Sequence, residues 1–319
     1  MRPSHPALHL FISMTHTHLD DLQTLIDSAE KPPRFAVIGN PVAHSLSPQL
    51  HQPALDALGI DASYVRVEVP EGRVAEAFEK MRAVGFRGIN VTVPHKLDAL
   101  EACDQVDPGA HLMGAVNTIV FHGEDKVGFN TDGPGFVRAI REDFGVDLSD
   151  LRIVIIGAGG GAGRAIATQC CLEDCPQLTL GNRTVEKLVQ MRDLLDPLLH
   201  GDKLEGPGDR LSIHALDDPA LEVAISNSEL IINTTSVGLK QSDPSPIPSS
   251  WIEPHHLVYD TIYNPAKTRL LRDAQDQGAR TANGLSLLLH QGALSLEYWT
   301  NKDAPIEAMR AGLNGAIKA

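Results

Sequence analysis

Cysteine is scarce in this 319-residue chain, and its placement argues against both a metal centre and cross-linking. The four thiols are Cys103, Cys170, Cys171 and Cys175. Three fall within six residues on an expected helix, and no second cluster completes a zinc ligand set. They read as buried thiols of a reducing cytoplasm, and no metal is expected. Long apolar runs are missing as well. Nothing reaches about 18 consecutive apolar residues, so no membrane-spanning helix is expected. Basic charge is in deficit: 27 Lys and Arg against 41 Asp and Glu give a formal net charge of -14. Nucleic acid and anionic membrane are not drawn to such a surface, although local groups can still hold a small anion. No repeat of solenoid period is present. The first 33 residues lack a clear small-residue cleavage site after the short apolar run Leu8 to Met14, so they do not read as a secretory signal. Residues 1–33 are taken as a mobile N-terminal extension, with Met14 a second candidate start. His5, His9, His16 and His18 look like a ligand cluster, but a mobile tail accounts for them better. Asp20 to Ala29 is expected to form a short amphipathic helix.

What is present is ordinary soluble-protein composition, 42% hydrophobic and 21% charged, with length enough for two domains. Phe35 to Ile38 reads as a strand, ended by Gly39-Asn40-Pro41. A loop with Ser45 and Ser47 leads into a helix that Pro48 opens and Gly59 stops, with Leu50, Ala54, Leu55 and Leu58 inward. Tyr64 to Val69, Gly88 to Val93 and Ala115 to Phe121 read as further strands, and Val74 to Val84 as a helix. Strands alternating with helices imply a covered, mostly parallel sheet. The pattern then restarts. Leu151 to Ile156 is a buried-type strand, and a helix runs on to about Leu172. Leu178 to Leu180, Leu230 to Asn233 and Leu257 to Asp260 are later strands. Gly201 to Arg210 and Gln241 to Ser250 read as loops. The expected organisation is an α/β chain of two domains, at 34–132 and 133–283, with the final helices, 284–319, returning to the first.

Between the strand ending at Ile156 and the next helix lies Gly157-Ala158-Gly159-Gly160-Gly161-Ala162-Gly163-Arg164. Glycines alone mark many turns. Here they sit between a strand and a helix, where their backbone N–H groups can approach a pyrophosphate and the helix N-terminus favours negative charge. A site for NAD usually places Asp or Glu after the second strand, to bond the ribose 2′-hydroxyl. This chain has Asn182-Arg183-Thr184-Val185-Glu186-Lys187 instead, with Arg183 standing 26 residues after Gly157. Arg183 can pair with a 2′-phosphate through its planar fork, and Lys187 adds charge one helical turn on. That favours NADP; a solvated basic pair opening a helix is the alternative.

A lysine and an aspartate, each following an apolar strand-like run, precede the glycine loop: Lys96 in Asn90-Val91-Thr92-Val93-Pro94-His95-Lys96 and Asp132 in Asn130-Thr131-Asp132-Gly133. A cation where a carbonyl oxygen gains negative charge is what reduction of a ketone requires. Taken alone, Lys96 reads first as a surface ion-pair partner, and Ser45, Ser47 and Asn117 as loop or cap residues.

The ordered set of motifs resembles the shikimate dehydrogenase family from about Arg34 to the C-terminus. It comprises Gly39-Asn40-Pro41 with Ser45-Leu46-Ser47-Pro48, the Asn90–Lys96 and Asn130–Gly133 stretches, and Gly114-Ala115-Val116-Asn117-Thr118. The glycine loop, Asn182-Arg183-Thr184, Asn233-Thr234-Thr235-Ser236 with Gly238, Tyr259-Asp260 with Tyr263, and Gly284 to Gln291 complete it. The resemblance implies a substrate domain, a Rossmann-like NADP domain, and reversible reduction of 3-dehydroshikimate to shikimate by NADPH, a step toward chorismate and the aromatic amino acids. It implies that Ser45 and Ser47 hold the substrate carboxylate with Tyr263, and that Asn90, Thr92, Asn117, Asp132 and Gln291 read the hydroxyls. Lys96 would stabilise and protonate the alkoxide, with Asp132 holding it; His95 is not expected to be catalytic. Gly157 to Gly161, Asn182, Arg183, Thr184, Lys187, Thr235, Ile262 and Gly284 would contact the cofactor. Three features depart from the family pattern: one more glycine in the loop, Asn283 where Asp is common, and the N-terminal extension. A cytoplasmic monomer or homodimer is expected. An NAD-using quinate/shikimate dehydrogenase is the nearest rival, disfavoured by Arg183 and by serine at Ser47. A non-catalytic ligand sensor on the same fold is the second, disfavoured because both Lys96 and Asp132 are kept.

Overall fold

A computed structural model describes residues 16–199 and 210–318, in two compact units. One unit comprises the chain up to Thr131 together with Gln291 onward, and the other is Asp132–His290. The helix Leu285–Thr300 therefore contributes residues to both. The expectations for His5, His9 and Leu8 to Met14 fall outside the described residues, as does the loop expected at Gly201 to Arg210 apart from its last residue.

The first unit is built on seven strands: β1 (His16–His18), β2 (Pro33–Gly39), β3 (Ser63–Glu68), β4 (Gly88–Val91), β5 (Gln105–Val106), β6 (Thr118–His122) and β7 (Asp125–Phe129). Their order across the sheet is β1-β3-β2-β4-β6-β7-β5. Pairing is parallel from β1 to β4 and between β7 and β5, and antiparallel at β4–β6 and β6–β7. Of the β6–β7 hairpin, β6 was expected at Ala115 to Phe121, but β7 was not legible in the sequence, because Asp125-Lys126-Val127-Gly128-Phe129 is neither a continuous apolar run nor a clean alternation. The two-residue period divides the sheet's faces. Ala36, Ile38, Val65, Val67, Ile89 and Val91 join one apolar core with Val74, Ala77, Phe78 and Met81 of the helix Val74–Ala83. The opposite face carries a row in register, Arg66–Val37–Asn90–Thr118, from four neighbouring strands. Three of the four are polar and all are buried, an expensive arrangement unless the groups satisfy one another.

Residues 16–33 are not a mobile extension, contrary to the sequence expectation. His16–His18 pairs in parallel with Arg66–Glu68. The 3-10 turn Leu19–Asp21 and the helix Leu22–Ser28 bury Leu19, Leu22 and Leu25 in the same core. Asp20 is clamped by Arg73 at 2.7 Å and by Lys80 at 3.3 Å. His16 and His18 both face Glu68, at 3.4 and 3.7 Å. The pattern of buried leucines was in the sequence; the sheet edge that accepts them was not.

The second unit has β8 (Arg152–Ile156), β9 (Gln177–Asn182), β10 (Leu211–Ala215), β11 (Leu230–Asn233), β12 (Leu257–Asp260) and β13 (Arg280–Asn283), all parallel, in the order β10-β9-β8-β11-β12-β13. This is the doubly wound arrangement of dinucleotide-binding sheets, whose order reverses between β8 and β11. Along β8, Ile153 and Ile155 enter one core and Val154 and Ile156 the other, so both faces are covered. Cys170, Cys171 and Cys175 are buried in the first of these cores, and all four cysteines are free. Burial pushes each thiol upward, Cys175 to about 12, which leaves them unreactive.

Candidate active site

In the first unit the polar row is satisfied internally. Tyr64 donates its hydroxyl to Asn90 Oδ1 at 2.7 Å. Asn90 Nδ2 donates to Thr118 Oγ1 at 3.2 Å and to Ser295 Oγ at 2.9 Å. Asn117 Nδ2 donates to Thr131 Oγ1 at 3.0 Å, while Asn117 Oδ1 accepts from the Thr131 backbone N–H at 2.8 Å. Ser295 Oγ donates back to the Gln291 carbonyl at 3.0 Å. Asn90, Asn117 and Gln291 are thereby tied into one network, with Thr131 directly before Asp132. Thr118 and Ser295 were not picked out from the sequence; the signal for Ser295 is its place one turn after Gln291 on the same helix face.

Two loops meet beside this network. Asn40 N–H donates to the Val93 carbonyl at 3.1 Å, and a Cβ on Gly39 would stand 2.6 Å from Thr92 Cγ2. Glycine is thus required where the serine loop passes the lysine loop. Ser45 Oγ donates to Ser47 Oγ at 3.0 Å and accepts from the Ser47 N–H at 3.2 Å, so the two hydroxyls are adjacent. Thr92 is half-buried, and its N–H donates to the Ile38 carbonyl.

Lys96 does not end a strand. β4 stops at Val91, and Lys96 opens the helix Lys96–Ala102; Asp132 likewise opens the helix Asp132–Phe144. A helix N-terminus favours a carboxylate such as Asp132. The Lys96 carbonyl accepts from the Val116 N–H at 3.0 Å, and Val116 precedes Asn117, which holds Thr131. His95 is fully buried, with Nε2 2.7 Å from the Val69 carbonyl, and is thereby occupied structurally.

His51, one turn beyond Ser47, stacks on Tyr64 with ring centroids 4.5 Å apart. Burial lowers its pKa to about 3, and a contact with Asn90 does not offset that; neither ring nitrogen makes a hydrogen bond of ordinary geometry. The folded state therefore holds a neutral ring, whereas the unfolded state protonates near pH 6.5. The stability this histidine permits is complete above that pH and is lost as pH falls from about 6.5 toward 3. The variant His51→Phe, which keeps the stack, is expected to lose less stability across that window in urea titrations at successive pH values.

In the second unit the glycine loop lies at the point where strand order reverses. Gly157 has φ +88°, and a Cβ there would stand 2.4 Å from Thr235 Cγ2 and 2.9 Å from the Thr235 N. Gly163 would place a Cβ 2.7 Å from Ala158 Cα, so it serves the close approach of helix to strand. Gly159 faces Asn182 Nδ2 and Lys187 Cβ at 3.0 and 3.2 Å. By contrast, a Cβ on Gly160 would meet only the Gly157 carbonyl at 3.6 Å, and one on Gly161 nothing within 4 Å. Packing does not require these two; Gly160 donates its N–H to the Gly157 carbonyl at 3.1 Å, and both glycines are exposed at the start of the helix Gly161–Leu172. Asn182 Nδ2 donates to the Thr184 carbonyl at 2.8 Å, shaping the turn that carries Arg183. Arg183 and Lys187 are exposed and make no ion pair among the described residues.

Behind the loop, Asp260 is fully buried, and desolvation raises its pKa. It accepts from Asn233 Nδ2, from the Ile262 N–H and from Thr268 Oγ1, at 3.0, 3.1 and 2.6 Å. Asn233 Oδ1 in turn accepts from Thr235 N–H and Oγ1. One carboxylate thus fixes the segments bearing Thr235 and Ile262. Tyr263 is half-buried, and that desolvation raises its phenol pKa. Gly284 donates its N–H to the Ile262 carbonyl, and a Cβ there would stand 2.0 Å from the Thr261 carbonyl oxygen. Gly284→Ala is therefore expected to cost about 2–4 kcal/mol, read as a lower urea midpoint. Asn283 Oδ1 accepts from the Leu285 N–H, capping the next helix as an aspartate would. Among the described residues no group of three His, Cys, Asp or Glu is placed to hold a metal ion, and no helix is long and apolar enough to cross a membrane.

This arrangement has counterparts. The shikimate dehydrogenase substrate binding domain matches residues 37–119, and the shikimate 5'-dehydrogenase C-terminal domain matches residues 284–311. The NADP(+) shikimate dehydrogenase of Moorella thermoacetica is 40% identical over 285 residues, which is 89% of this chain and 93% of that protein. The chain belongs to the shikimate dehydrogenase family. Two solved shikimate dehydrogenases agree in three dimensions. One, in complex with NADP+, has a TM-score of 0.81 at 33% identity, covering 89% of this chain and 95% of its own. The Thermus thermophilus enzyme, in complex with NADP(H) and shikimate, has a TM-score of 0.78 at 34% identity, covering 89% and 99%. Family membership thus extends over both units, and residues 16–33 add an edge strand and a short helix to the first.

Proposed function

We propose that this protein catalyses the NADPH-dependent, reversible reduction of 3-dehydroshikimate to shikimate, as a cytoplasmic monomer or homodimer. The observation that carries the reading is the coincidence of two things. The buried network joins Asn90, Asn117 and Thr131 beside the loop of Lys96, and relatives named as NADP(+) shikimate dehydrogenases match nearly the whole chain.

The residues present fit the cofactor. Gly160 and Gly161 are exposed at a helix N-terminus, suited to a pyrophosphate, and the exposed Arg183 and Lys187 offer charge for a 2′-phosphate. Gly157, Ala158, Gly159, Asn182, Thr184, Thr235, Ile262 and Gly284 complete the proposed cofactor set. When bound, NADPH supplies the hydride. The chain's own groups do the rest. Ser45 and Ser47, with Tyr263, donate hydrogen bonds to the substrate carboxylate. Asn90, Thr92, Asn117 and Gln291 orient the ring through its hydroxyls. Lys96 faces the carbonyl oxygen, stabilises the alkoxide and gives it a proton; Asp132 holds Lys96 in place and hydrogen-bonds the reacting hydroxyl. In oxidation Lys96 takes the hydroxyl proton.

The test is to follow nicotinamide absorbance with shikimate and quinate, each with NADP+ and NAD+. Turnover of shikimate with NADP+ well above the other three pairs is expected. Preference for quinate with NAD+ would replace this reading by the quinate/shikimate one, and no turnover of any pair would leave a ligand sensor.

A further inference from the structure

Arg66 lies beneath the serine loop and is 3% exposed. Its Nε and Nη2 donate to the Ser45 carbonyl at 2.8 and 2.6 Å, and Nη2 also donates to Gln49 Oε1 at 2.9 Å. A buried guanidinium is costly to place, and arginine does not shed its proton to escape that cost. These bonds fix the guanidinium against the main chain of the residue whose hydroxyl meets Ser47. Two strand positions away, Tyr64 shares the sheet face and hydrogen-bonds Asn90. Ser45 and Ser47 are neutral, so a carboxylate held by them alone has no counter-charge. Arg66 stands one layer behind, with a loop backbone between.

We propose that Arg66 is the counter-charge for the substrate carboxylate, acting through the Ser45 main chain as a positioning and specificity residue for anionic substrates. This rests on the reading that Ser45 and Ser47 hold the carboxylate. The device reconciles two demands. Direct contact between a guanidinium and the ligand would hold the product tightly, whereas a cation one layer back lowers the cost of burying the anion and leaves the hydroxyls to set its orientation. At an effective dielectric of 20, unit charges roughly 8 Å apart change affinity by about tenfold to thirtyfold. The effect belongs in KM, because the carboxylate's charge does not change as the ketone is reduced.

The experiment compares shikimate with its carboxamide, which keeps the shape and removes the charge, by the ratio of their kcat/KM values. Wild type is expected to favour the acid strongly; equal use of acid and amide by wild type would overturn the proposal without any variant. Arg66→Gln keeps a donor for the Ser45 carbonyl but not the charge, and is expected to lower the acid-to-amide ratio about tenfold or more. Arg66→Lys keeps the charge and is expected to retain most of the ratio. A merely structural arginine predicts equal losses for acid and amide in Arg66→Gln, and that result would refute the role. Ser45→Ala and Ser47→Ala serve as the check on the underlying reading. If they leave the ratio unchanged, the carboxylate does not sit at the serine loop. If they change it and Arg66→Gln does not, only the counter-charge proposal fails.

Discussion

Replacing Lys96 by alanine is expected to lower kcat for shikimate oxidation by about a thousandfold or more, with KM changed only a few-fold. General acid–base catalysis contributes about a hundredfold to ten-thousandfold, and stabilisation of the developing oxyanion adds to it. Both interactions grow toward the transition state, so their loss appears in kcat and not in ground-state binding. The hydrogen bond that fixes the start of the lysine helix runs from Val116 N–H to the Lys96 carbonyl, which alanine keeps. The fold should therefore survive, and a circular dichroism melt checks this. Steady-state kinetics with NADP+ give the main result, and undiminished turnover would remove Lys96 from the mechanism. A second measurement separates proton transfer from charge stabilisation. Small primary amines added to Lys96→Ala should restore turnover in proportion to their basicity if the lysine carries the proton itself.

Arg183→Glu is expected to raise KM for NADP+ about a hundredfold or more while leaving that for NAD+ within a few-fold. A charge-assisted bond to a phosphate contributes roughly 1.5–3 kcal/mol, and a carboxylate in its place adds repulsion. NAD+ has no 2′-phosphate, and a carboxylate can accept its ribose hydroxyl. Arg183 is exposed and makes no ion pair among the described residues, so its loss should cost little stability. Lys187 stands closer to the glycine loop, its Cβ 3.2 Å from where a Gly159 Cβ would be, and Lys187→Ala should give a smaller effect. Similar losses for both cofactors would assign Arg183 to the turn instead of to the phosphate.

The second unit was the more legible of the two. Leu230–Asn233 and Leu257–Asp260 are largely apolar runs, as strands of a parallel sheet covered on both faces need, and stood where they were expected; β10 and β13, Leu-Ser-Ile-His-Ala and Arg-Thr-Ala-Asn, have no such run and were not read. The first unit was harder to read. One sheet face is polar, so its strands are not continuous apolar runs, although those holding Tyr64, Arg66 and Asn90 stood where they were expected. The hairpin's second strand, β7, and the short β5 were invisible for lack of apolar runs. Within residues 16–33 the helix expected at Asp20 to Ala29 is present as Leu22–Ser28, whereas the edge strand His16–His18 was missed because three residues have too little pattern to register.

The sequence by itself determined the fold class, the glycine loop with its basic turn, and the ordered motifs, those of Lys96 and Asp132 among them, that carry the family resemblance. Those follow from local patterns: period, turn chemistry and motif order. Tertiary structure alone decided what supports them. Only the register of four strands aligns Arg66 with Asn90 and Thr118, residues 24 and 28 positions apart from one another or more. Only the return of the chain at Gln291 brings Ser295 Oγ to Asn90. A hydrogen bond between distant residues depends on geometry that no short stretch of sequence contains, and that is why the buried arginine beneath the serine loop looked like any other strand residue until the sheet was assembled.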